Sequence, residues 1–213
     1  ADMNAITMAN YLCNEHGLDT ITAGSTIAFA MECYEKGILT DEQTGGLALN
    51  FGDGELVVSL IDKIARREGI GDLLAEGSRA MSQKLGQGSA HFAMHVKGLE
   101  LPAYDPRAAK ITGLSYVTAN RGGDHITAYV QGPTFIDVPF LLVEDSTIAD
   151  PFEANPKEAR VVIDLENALT MFDCIGGCKF MGILLPAEDY VQLISHATGW
   201  EFGVADFRKC GER

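Results

Sequence analysis

Apolar residues recur along this chain at helical spacing, in segments punctuated by glycine, proline and capping residues. The first carries Ile6, Ala9, Leu12 and Cys13 and stops at Gly17; the second, residues 20–36, sets Ile27, Ala28, Ala30, Met31 and Tyr34 at helix period and closes at Gly37. Asp53 caps a third, whose Leu56, Val57, Leu60, Ile61, Ile64 and Ala65 share one face and which ends at Gly69. A fourth covers residues 71–85. Asp105-Pro106 reads as N-cap and first position of a helix reaching Asn120, and Asn155-Pro156 with Glu158 as the start of one reaching Asp173. Pro186 opens another, ended by Gly199. Residues 91–99 alternate instead, with Phe92, Met94 and Val96 on one side, which predicts a short strand without an obvious partner. Residues 131–151, broken by Pro133, Pro139 and Pro151, read as a long loop.

The sum predicts a mainly α protein with two multihelical lobes and few or no strands, residues 1–96 and 97–213, meeting near residues 96–102. The opening Ala1-Asp2-Met3-Asn4 runs straight into the first helical pattern, so the chain reads as a fragment of a longer protein.

Composition narrows the function. The 213 residues are 46% hydrophobic, enough to bury a core. A formal net charge of −14 argues against a nucleic acid or an anionic membrane as partner, because both would repel it, and suits a basic redox partner or a small substrate. No run approaches the roughly 18 apolar residues of a membrane span, and the N-terminus lacks signal-peptide character, which predicts a cytoplasmic protein. Cys13, Cys33, Cys174, Cys178 and Cys210 are odd in number and scattered, as reduced thiols are.

Three segments have site-like chemistry. In Asn120-Arg121-Gly122-Gly123-Asp124-His125 two glycines let the backbone approach a bulky ligand, beside a cation, a carboxylate and an imidazole; a bare turn explains the glycines as well. Arg121 and Asp124 also fit as braces of the loop. In Asp173-Cys174-Ile175-Gly176-Gly177-Cys178-Lys179-Phe180 a thiol follows a flexible glycine pair, although two buried, unreactive cysteines are the plainer local reading. No Cys-x2-Cys occurs, so the chain by itself lacks the four thiolates of a cubane cluster. Cys13-Asn14-Glu15-His16-Gly17-Leu18-Asp19-Thr20 reads locally as a helix end followed by a helix cap. His16, His91, His95 and His196 read as ordinary core or surface residues, residues 62–68 as a solvated helix face, and the acidic residues 144–153 as loop.

The wording of these segments, together with Leu99-Glu100-Leu101-Pro102-Ala103-Tyr104-Asp105-Pro106-Arg107, Thr112-Gly113-Leu114-Ser115-Tyr116 and Ile64-Ala65-Arg66-Arg67-Glu68-Gly69-Ile70-Gly71-Asp72, resembles the tungsten-dependent aldehyde:ferredoxin oxidoreductase family. The resemblance runs from about Leu12 to Phe180 and implies the family's middle and truncated C-terminal helical domains. It implies oxidation of aldehydes, or related acyl substrates, to acids at a tungsten or molybdenum bis-pterin centre, with electrons leaving through a [4Fe-4S] cluster to ferredoxin. By the same likeness Asn14, Asp19, Thr20 and Asp173 meet the pterins, Cys178 is the fourth cluster ligand, and His125 lies beside the metal as a proton carrier. Gly177 stands where the family commonly has leucine. The isolated chain is expected to hold neither cofactor and to be inactive, and a homodimer is left open. Two other readings remain at this point: an electron-transfer subunit of a larger complex, and a helical assembly module without cofactor.

Overall fold

The computed structural model describes residues 2–135, 143, 150, 152, 153 and 155–212. They are mainly helical, in two compact units: Ala1–Pro102 with Arg121–Gly123, and Ala103–Asn120 with Asp124–Arg213.

The first unit begins with α1 (Met3–His16), closed by Gly17 at φ 68°, and α2 (Thr20–Glu35), whose N-terminus is capped by Asp19 accepting from Thr22 N at 2.7 Å. The short α3 (Asp41–Thr44) carries a Thr40/Gln43 capping box, and α4 (Gly54–Arg66) is capped by Asp53, which accepts from Leu56 N at 2.9 Å. Two boundaries differ from expectation. Helix α4 ends at Arg67, which takes the left-handed conformation (φ 54°) ahead of Gly69. The helix expected over residues 71–85 is two, α5 (Ile70–Leu74) and α6 (Gly77–Leu85), because Gly77 turns to φ 79° between them. Gly71 lies against α4 so closely that a Cβ there would overlap the Lys63 carbonyl oxygen. Helix α2 is the centre of the core: Ile27, Phe29, Ala30, Met31 and Cys33 are buried around it, with Leu60, Ile61 and Ile64 of α4 and Met81 of α6. Each of the larger ones, the Ile, Leu, Phe and Met side chains, contributes about 1.5–3 kcal/mol when buried in full.

The strand expected near residues 91–99 is cut to β1 (His95–Val96), and its missing partner is the next piece of chain, β2 (Leu99–Glu100). They pair antiparallel, Val96 opposite Leu99, across a two-residue turn in which Lys97 (φ 56°) and Gly98 (φ 98°) both take positive φ.

The second unit starts its helix later than Asp105-Pro106 suggests, at α7 (Lys110–Thr118). The Asp105 carboxylate turns instead to Arg107, accepting from its backbone N–H at 2.8 Å and its Nε at 3.0 Å, and this guanidinium holds the carboxyl down at about 2. Part of the expected loop is helical, α8 (Gln131–Phe135); apart from residues 143 and 150, the rest of residues 131–151, with most of the acidic stretch, lies outside the described residues. Helix α9 (Pro156–Ile175), capped by Asn155, is the core element, burying Val161, Val162, Leu165, Leu169 and Phe172. It packs on α7, where Thr118 Oγ1 donates to Glu166 Oε1 at 2.7 Å, and Phe172 meets Tyr190 of α10 (Ala187–Thr198) with ring centroids 4.8 Å apart. Gly211 of α11 (Val204–Gly211) sits where any Cβ would overlap Asn167 O. Among the described residues no helix is long and apolar enough to cross a membrane.

Candidate functional site

In the first unit, the glycines ahead of His125 have an internal explanation. Gly123 N donates to Val96 O at 3.2 Å, so the strip Arg121–Gly123 lies directly on the β1–β2 hairpin. A Cβ on Gly122 (φ 117°) would overlap Val96 O, and one on Gly123 would come within 2.7 Å of Leu101 and 2.8 Å of Leu99 O. The bare backbone faces protein, which replaces the expected approach to a ligand. Beneath it lies Glu100, 2% exposed, whose Oε1 accepts from both the N–H and the hydroxyl of Ser78 at 2.7 Å. Sequence reasoning passed over that carboxylate, since nothing local marks it as buried.

The same unit holds Asn14 in the last turn of α1 and Asp19 and Thr20 at the start of α2, all three exposed. The Asn14 amide donates to Asn10 O at 2.8 Å, and Asp19 caps α2. Burial, reinforced by the Asp19 carboxylate, pushes the Cys13 thiol up. Thr20 and Cys13 also line an apolar cavity of about 470 Å³ bounded by α1, α2 and residues 51–54.

The second unit brings His125, Asp173 and Cys178 into one linked arrangement. Asp124, 8% exposed, accepts from Ile126 N at 3.1 Å and from the Thr127 hydroxyl, which folds a tight turn around His125. The imidazole lies 5.4 Å from the Tyr104 ring and 6.3 Å from the Tyr129 ring, and Tyr129 in turn meets Phe180 edge-on at 5.1 Å. Tyr104 is held from behind, its carbonyl accepting from Tyr116 OH at 2.8 Å. Burial, helped by the Tyr104 phenol, raises the Tyr129 phenol. Helix α9 ends at Gly176 (φ 68°), and the chain turns through Gly177 to Cys178, which heads the short 3₁₀ turn Lys179–Ile183. Cys174 and Cys178 are both exposed, which corrects the expectation of two buried thiols: Cys174 lies off the core face in the last turn of α9, and the glycine turn carries Cys178 beyond the helix. Lys179 extends back, its Nζ 2.9 Å from Asp173 Oδ2 and 3.3 Å from the Ile126 carbonyl it donates to.

These donors suit the groups that the sequence resemblance implies. An exposed thiol on a turn can become a thiolate ligand for iron, and exposed carboxylates such as Asp173 and Asp19 can accept from ring N–H groups of a pterin. Among the described residues no three His, Cys, Asp or Glu side chains converge to hold a metal ion.

The chain matches the family description "Aldehyde ferredoxin oxidoreductase, domains 2 & 3" over residues 1–213. It is 41% identical over its whole length to the tungsten-containing aldehyde ferredoxin oxidoreductase of Pyrococcus furiosus, and 41% identical to that of Thermococcus kodakarensis, covering 34% of each. It thus spans about a third of the length of these relatives. Its fold is similar to part of a chain from the active-site complex of benzoyl coenzyme A reductase with 1,5-dienoyl-CoA (TM-score 0.67, 24% identity, 91% of this chain and 34% of that one).

Proposed function

The chain belongs to the aldehyde ferredoxin oxidoreductase family, a family of oxidoreductases with tungsten-containing members, and from that premise we propose that it forms part of a tungsten bis-pterin active site oxidising aldehydes, or related acyl substrates, to acids. The observation that supports this reading is the linked set in the second unit: an imidazole between two tyrosine rings, tied through Lys179 to a carboxylate beside an exposed cysteine. When bound, the metal–pterin group supplies the two-electron redox change and the cluster passes electrons on to ferredoxin. This chain's residues do the rest. Asp173, and on the other unit Asn14, Asp19 and Thr20, orient the pterins by hydrogen bonds to their ring edges. The Cys178 thiolate ligates one cluster iron. His125 takes and returns a proton at an imidazole nitrogen as the aldehyde is hydrated and oxidised, a task for which the imidazole side chain is suited. The tyrosine rings beside it, 5.4 and 6.3 Å away, hold the imidazole in place. We place the protein in the cytoplasm and assign it no nucleic-acid or membrane partner.

The test uses the full-length enzyme. His125→Asn is expected to keep tungsten and iron and to lower aldehyde turnover about 10²- to 10⁴-fold, the usual range for losing a positioned acid or base. Cys178→Ala is expected to lose iron while the fold survives. Near-normal turnover in the first variant, or unchanged iron and an unchanged reduced-cluster spectrum in the second, would remove these assignments. Cluster spectra without aldehyde turnover in the wild type would mark an electron-transfer subunit, and absence of both metals an assembly module.

A further inference from the structure

The Lys179 side chain is only 10% exposed, far more buried than a lysine usually is. Its two partners come from distant parts of the chain. Asp173 Oδ2, at 2.9 Å, lies at the end of α9, and the Ile126 carbonyl, at 3.3 Å, is 53 residues away in sequence and directly follows His125. Asp173 is 58% exposed, so water screens the ion pair and its contribution to stability is small. The arrangement makes better sense as geometry. The Asp173–Lys179 contact closes a ring of chain around Gly176, Gly177 and Cys178, a turn whose glycines would otherwise leave the cysteine free to swing. The same nitrogen fixes the carbonyl of the Asp124 turn on which His125 is mounted. A carboxylate held at 2.9 Å by Lys179 is also kept pointed, which an acceptor for ring N–H groups requires.

We infer that Lys179 is a positioning residue for the active site: through one ammonium it sets the orientation of Asp173, the turn bearing Cys178 and the loop bearing His125. The inference rests on the function proposed above. A neutral, flexible side chain at 179 releases all three together, and misplacement of about 1 Å at a catalytic group is enough to cost about 10² in rate. Arginine retains charge and reach and can donate to both partners.

The experiment compares full-length wild-type enzyme with Lys179→Met and Lys179→Arg for tungsten and iron content, kcat and KM for an aldehyde, the reduced-cluster EPR spectrum, and amide exchange over residues 124–129. Lys179→Met is expected to keep both metals, to lower kcat about 10²-fold with KM within about threefold, to shift the EPR signal, and to speed exchange over residues 124–129 about tenfold or more. Lys179→Arg is expected to stay within about threefold of wild type on every measure. Wild-type exchange in Lys179→Met overturns the inference, as does faster exchange with unchanged kcat and EPR, or an arginine variant as impaired as the methionine one. If Lys179→Met proves insoluble, Lys179→Gln replaces it under the same criteria. Wild-type enzyme free of both metals would sink the functional reading and this inference with it, whereas normal metals with unchanged exchange sinks this one alone.

Discussion

Gly122-Gly123 and Gly176-Gly177 are the same pair of letters next to a candidate chemical residue, yet they serve different ends. The first pair is a seam: it lies on the β1–β2 hairpin with Val96 O, Leu99 and Leu101 where side chains would go. The second is a stop. Gly176 takes φ 68° with open space around its missing Cβ, Gly177 N donates to Phe172 O at 2.8 Å, and the chain leaves α9 at an angle that exposes Cys178. A glycine pair therefore reports a backbone demand, and only its neighbours show whether the demand is close packing or a turn.

That contrast predicts unequal costs. Gly122→Ala adds a positive-φ strain and a clash with the Val96 carbonyl, and is expected to destabilise the protein by about 4 kcal/mol, lowering Tm by roughly 8–16 °C. A Tm within about 2 °C of wild type by calorimetry would mean that the strip can lift off the hairpin, and the seam reading would fail.

The two units differ in their thiols as well, which supplies a second way to separate them. Cys13 and Cys33 of the first are buried, whereas Cys174, Cys178 and Cys210 of the second are exposed. Burial pushes the Cys33 thiol up to about 11, so the folded chain holds this proton more tightly than the unfolded one. The stabilisation is complete below about pH 9 and is lost as pH rises through about 11, a fall of roughly 2 kcal/mol. Urea denaturation from pH 8 to 11 should show this alkaline loss in the wild type and a flatter profile in Cys33→Ala. An identical slope in both would assign it elsewhere.

The smallest effect is expected at the stop. Gly176→Ala meets no atom within 4 Å and suffers only the left-handed conformation, about 1 kcal/mol. A loss as large as that of Gly122→Ala would erase the distinction between the two pairs.

What the sequence by itself determined is the set of helices closed by their own neighbours. Asp53 reaches Leu56 N, Asn155 reaches Glu158 N, and Gly17 and Gly199 take the left-handed turn at helix ends, all within three residues of the atoms concerned. The family wording was legible for the same reason, since motifs are contiguous. The candidate residues were therefore named from sequence, while their surroundings were not. Lys97-Gly98 carries no Asn-Gly or Asp-Gly signal, so β2 was invisible until it paired with β1. The break at Gly77, the burial of Glu100, the exposure of Cys178 and the reach of Lys179 to Ile126 were decided only by the tertiary structure. Burial and long-range hydrogen bonds are properties of what packs against a residue, and a partner 53 positions away leaves no periodicity or spacing in the sequence to read.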